Sequence, residues 1–295
     1  MFKNKLRQTA SLFLISLWCV SAGAASLPKV DQPATQPKKN KPQWVSIFNG
    51  KDLTGWTPKF RGQELGVNYK NTYQVKDGLL KVSYDAYKKW GSQFGHLFYK
   101  NSYSHYKFRI TYRFVGKQIK GGPGWAFRNN GIMIHCQSPQ SMAKNQKFPV
   151  SIEVQMLGGK AKGNRTNGNL CTPGTNVVYQ NKLQTRHVIN SKSKTYRGDQ
   201  WVTLEIHVQG SEVIKHILDG KVVLEYTKPQ LDPRDPDAKR LLKKSKNKNL
   251  LLDRGYISIQ AESHPVDIKS IEIMDLSPEK TVQNKKMHAS THPKQ

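Results

Sequence analysis

The 295-residue sequence reads as an all-β protein, a two-sheet jelly-roll sandwich, on three grounds. Apolar and polar residues alternate with period two in segment after segment, which puts one side of each strand into a core. Asp77-Gly78 and Asp219-Gly220 interrupt two such segments and mark tight hairpins. Helical periodicity is nearly absent, and many turn-bounded strands rich in aromatics suit two packed sheets.

The first strand signal is Trp44 to Phe48, which runs into a turn at Asn49-Gly50 and a second aromatic anchor at Trp56. Tyr73 to Tyr84 forms the first hairpin. Tyr106, Phe108, Ile110, Tyr112 and Phe114 alternate with polar residues in a half-buried strand. A glycine-rich loop spans Gly121 to Asn130, and Gly131 to Gln137 is the next strand. Pro149 to Gly158 follows, with Val150, Ile152, Val154 and Met156 on one side and Ser151, Glu153 and Gln155 on the other. Glu is disfavoured in strands, so a carboxylate and an amide side by side point either to a polar face that binds something or to a solvated Glu on a half-exposed strand. Gly158 to Ser193 has few strand signals and reads as a long insertion at the sheet rim, where function concentrates. Val202, Leu204, Ile206 and Val208 alternate inward, Glu212 to Tyr226 is the second hairpin, and a short helix is expected near Ala238 to Lys244. Tyr256 to Ser263 and Val266 to Leu276 close the domain.

Outside that domain the chain is of another kind. Residues 1–25 carry a basic start, an apolar core from Leu12 to Val20 and a small-residue end, the pattern of a cleaved secretory signal. Residues 26–42 read as a flexible linker, 43–276 as the jelly-roll domain and 277–295 as a disordered tail. No other segment has the length and apolarity of a membrane span. The expected location is therefore periplasmic or secreted. With 48 Lys and Arg against 20 Asp and Glu, the net charge is +28, which suits an anionic polysaccharide or cell surface better than nucleic acid, for which no motif is present. In an oxidising compartment Cys136 and Cys171 are expected to form a disulfide. A thiol pair of His135 and Cys136 is the weaker alternative, because neighbouring strand residues point to opposite faces.

Phe48-Asn49-Gly50-Lys51-Asp52-Leu53-Thr54-Gly55-Trp56 resembles the opening motif of the 3-keto-disaccharide hydrolase domain family. Asn130-Gly131-Ile132, Glu153-Val154-Gln155, Trp201 before an alternating strand, Asp219-Gly220 and Gly255 to Glu262 follow in the family's order. The resemblance covers roughly residues 44 to 276. It implies a concanavalin A-like, laminarinase-like sandwich and cleavage of glycosides already oxidised at sugar carbon 3. The Lys-rich stretch 239–248 and the cysteine pair depart from the family pattern, and many members carry His where Glu262 stands.

A ketone at carbon 3 acidifies the hydrogen on carbon 2, so a base can remove it and the glycosidic oxygen can leave from carbon 1. Such a site needs a base, a group that stabilises the enolate and an acid for the leaving group. Strand phase puts Glu153 with Gln155, and Gln260 with Glu262, each pair on one face. If both strands share a sheet face, the two carboxylates converge as base and acid. Gln155 and Gln260 would orient hydroxyls, with His135, Trp125 and Arg128 as further substrate-binding candidates. Each of these three has a structural alternative: a bonded strand histidine, a rim-packing Trp and a solvated Arg. A divalent metal held by Glu and His would stabilise an enolate, yet no ligand spacing singles one out, and none is assigned. The expected partner is an oligosaccharide or glycoside. Two other readings stay open: an ordinary glycosidase of laminarinase-like fold, and a non-catalytic carbohydrate-binding module.

Overall fold

A computed structural model describes residues 41–245 and 249–277. The expected signal segment, nearly all of the linker, part of the Lys-rich stretch and almost the whole tail lie outside these residues.

Two antiparallel sheets make the domain. Among the described residues the larger has ten strands, in the order Lys182–Gln184, Thr175–Tyr179, Lys221–Leu231, Val213–Leu218, Val202–Gln209, His105–Phe114, Val266–Asp275, Leu79–Val82 and Tyr73–Lys76, with Val45–Ser46 also on Val266–Asp275. The smaller has seven: Val188–Ile189, Leu170–Cys171, Ile152–Leu157, Asn129–Cys136, Gly255–Ala261, Gly95–Tyr103 and Trp56–Phe60.

Period-two patterning decides where each side chain goes. Along His105–Phe114 every second residue is buried, and Phe108, Ile110 and Tyr112 meet Ile132, Val154, Ile257 and Ile259 of the smaller sheet in one core. Burial of such side chains contributes roughly 1.5–3 kcal/mol each and fixes the register, because a slip of one residue would expose the whole set. Both Asp-Gly hairpins form as expected, with Asp77, Gly78, Asp219 and Gly220 all at positive φ. The helix at Pro236–Lys244 also forms. Asp235 caps it by accepting from the amides of Asp237 and Ala238, and Ala238 packs on Val150 and Leu231.

The stretch from Gly158 to Ser193 differs from its expectation. It contains four short strands, and these extend both sheets rather than forming a structureless insertion. Their alternation is too brief to stand out in sequence. One of them, Leu170–Cys171, pairs directly with the Glu153 strand.

Candidate active site

With Ile152, Val154 and Met156 committed to the core, Glu153 and Gln155 must point to the outer face of the smaller sheet. On that face lies a cavity of about 430 Å³. Trp125, Phe148, Leu157, Pro173 and Val188 form its apolar lining, and Asn129, Glu153, Gln155, Arg165, Cys171, His187 and Glu262 form its polar lining.

The two carboxylates come together here, and both are almost wholly buried. Room for Glu153 is made by Gly131 on the adjacent strand: a Cβ there would fall 2.5 Å from Glu153 Oε1. Glu262 lies one residue past the end of its strand and accepts a hydrogen bond from Gln260 Nε2 at 3.3 Å. Burial pushes the Glu153 carboxyl up to about 7, a rise that a hydrogen bond from the Cys171 thiol partly offsets. Glu262 is raised well above the usual carboxylate range, first by burial and then by the charge of Glu153, with Arg165 acting in the opposite direction.

Three groups connect the carboxylates to their surroundings. Cys171 stands directly opposite Glu153 in the ladder, and its Sγ is 3.1 Å from His187 Nε2. His187 is exposed at the rim. The Arg165 guanidinium donates to the carbonyls of Phe127, Gly158 and Trp125, so it ties the glycine-rich loop to the cavity wall. Asn129 shares the outer face with Gly131 and Met133, and its Oδ1 has no hydrogen-bond partner; Oε1 of Gln260 has none either. Buried polar atoms of this kind are normally satisfied, so Asn129, which lines the cavity, is suited to a polar ligand or water there. Among the described residues, no group of three or more His, Cys, Asp and Glu side chains is placed to hold a metal ion.

The remaining expected site residues divide. Gln155 and Trp125 line the cavity. Gln260 is buried behind it and touches Glu262 instead of the space. His135 is not part of the site. A bulge between Tyr256 and Ser258 breaks the alternation, His135 takes φ 46°, and its Nε2 meets the Gly210 carbonyl at 3.0 Å. Arg128 is also elsewhere, engaged by Asp199 at 2.8 Å and by the Gly198 carbonyl.

The disulfide does not form either: Cys136 and Cys171 are both free and buried. Cys171 is level with Met133 two strands away, while Cys136 sits three residues further along. That offset is of the order of 10 Å in each direction, beyond any disulfide. Cys136 is instead 3.7 Å from the Ser258 hydroxyl. The sequence does not single out Arg165, His187 or Asn129, and it points to Cys171 only as a disulfide partner. Strand phase from Gly131 would have found Asn129. Arg165 and His187 come from irregular chain, which has no period to read.

Fold and site together define a class: antiparallel β-sandwich proteins with a buried carboxylate pair in a cavity on the outer face of one sheet. The chain belongs to the 3-keto-alpha-glucoside-1,2-lyase-like domain family, whose pattern matches residues 43–274. No curated protein matches the chain in sequence. Similar solved structures include two provisionally assigned glycosyl hydrolases from Parabacteroides distasonis. The first has a TM-score of 0.47 and 16% identity, covering 79% of this chain and 100% of its own. The second has 0.46 and 18%, covering 79% and 94%. A carbohydrate-binding module, CBM66 of Bacillus subtilis, matches at 0.41 and 10%, over 75% of this chain and 96% of its own.

Proposed function

We propose that this is an exported enzyme that cleaves 3-keto-glycosides by proton abstraction and elimination. The observation that carries the reading is the pair Glu153 and Glu262, buried together in one cavity with their proton affinities displaced upward. A base near neutrality and a carboxyl kept protonated are what the chemistry requires.

In the ionised form Glu153 takes the hydrogen from carbon 2 of the keto sugar. The electron pair flows toward the ketone, then forms the carbon 1–carbon 2 double bond as the glycosidic bond breaks. Glu262, held protonated by burial and by the charge of Glu153, gives its proton to the leaving oxygen. Amide N–H groups of Asn129 and Gln155 are available for the developing enolate oxygen. The apolar walls exclude water and strengthen each of these interactions. Addition of water to the double bond completes a net hydrolysis; release before addition is a lyase outcome.

The test is incubation of the full chain with 3-keto-trehalose, 3-keto-glucosides and their unoxidised parents, with and without chelator. Release of aglycone or sugar from the keto forms alone is expected. Equal cleavage of the parents would return the site to ordinary glycosidase chemistry. Sugar affinity without turnover in any form, lost again in Glu153→Gln, would make it a binding module.

A further inference from the structure

Trp125 is 55% exposed and lies on the cavity rim, between the space that holds the carboxylates and a second cleft of about 380 Å³. This cleft is lined by Gly124, Trp125, Lys160, Lys162, Asn164 and Arg165, so the two spaces share Trp125 and Arg165. Arg165 donates to the Trp125 carbonyl at 2.9 Å and so anchors the backbone that carries this exposed indole. The indole offers an aromatic face beside the cavity. Lys160 and Lys162 are exposed on the same cleft, and among the described residues neither forms an ion pair. Asp199 is taken by Arg128 and does not neutralise them. The cleft thus combines an exposed indole with two cations that no carboxylate of the described residues neutralises, Lys160 resting 6.0 Å from the centroid of the Phe127 ring.

We infer that a second glycosyl unit carrying a carboxylate or sulfate binds here, its ring on Trp125 and its charge at Lys160 and Lys162. The substrate is then an acidic disaccharide or a longer acidic chain, with the keto unit in the cavity and the acidic unit outside it. This rests on the reading of the cavity as a glycoside site, but its test does not need turnover.

Calorimetric binding of a glucosyl-glucuronide, a 6-sulfated glucosyl-glucose and neutral glucosyl-glucose to the full chain reads the preference directly. The tighter of the two acidic probes identifies the natural charge. At low salt an acidic probe should bind roughly tenfold tighter than the neutral one. The ratio should shrink in high salt and fall to near one in a Lys160→Gln/Lys162→Gln variant, while Trp125→Ala should weaken all three probes. Equal affinities in the wild type, a ratio kept by the double variant or untouched by salt, or no binding at millimolar sugar would each overturn the subsite. Cleavage of keto substrates without the preference removes the subsite alone; preference without cleavage removes the enzymatic reading alone.

Discussion

Glu153 carries both the proposed chemistry and a stability cost. A carboxyl ordinarily near 4.5 that sits at about 7 in the folded protein holds its proton where the unfolded chain has released it. Stability associated with this group is present below pH 4.5 and declines as pH rises toward 7. Glu153→Gln keeps the shape and removes the charge. It should abolish keto-glycoside cleavage, raise the melting temperature at pH 8 and change it little at pH 4.5. Thermal unfolding at the two pH values checks this, and an equal effect at both would contradict the assigned burial cost. The Cys171 thiol opposite limits the cost by favouring the ionised carboxyl, which is a more useful placement than the expected disulfide.

At the scale of the strand, the site depends on a neighbour with no side chain. Gly131 is the one position on the Asn129–Cys136 strand whose Cβ would meet the Glu153 carboxylate. Gly131→Ala should lower kcat/KM at least a hundredfold and also lower the melting temperature, because a Cβ there would fall 2.5–2.9 Å from Oε1, Cγ and Cδ of the buried Glu153 side chain. Full activity in the variant would contradict this. The strands themselves were largely legible. Val150 to Leu157 and Gln260 to Glu262 carry their phase in plain alternation, so the face of each carboxylate could be read before any coordinates, whereas the sharing of one sheet by the two strands is a long-range pairing with no local mark. His135 could not, because a bulge is a long-range pairing irregularity with no mark in the local pattern. Arg128 failed for another reason: whether an arginine faces substrate or Asp199 depends on residues about seventy positions away. The Leu170–Cys171 strand is two residues long, too short to alternate, and its pairing with Glu153 is fixed by the ladder alone.

Over the whole molecule, two properties follow from burial. His96, His135, His216 and His264 are buried, and burial lowers the first to about 3 and the others to about 4. The stability of keeping them neutral is fully present above the unfolded value of 6.5 and is lost as pH falls toward 4. Four such groups outweigh the opposing contributions of Glu153 and Glu262 in that window. The melting temperature should therefore drop steeply between pH 6.5 and 4, and a flat profile there would contradict the burial. The second property concerns the thiols: with Cys136 and Cys171 separate, dithiothreitol should leave the melting temperature unchanged. A marked drop on reduction would show that the two residues are bridged.

The central claim is that a proton leaves carbon 2 before the glycosidic bond is lost. It is tested most directly with a 3-keto-glucoside deuterated at carbon 2, by following the label in the released sugar. Enzymatic cleavage is predicted to send the deuterium to solvent, beyond the exchange seen in enzyme-free buffer. A released sugar that keeps its deuterium at carbon 2 would contradict the account.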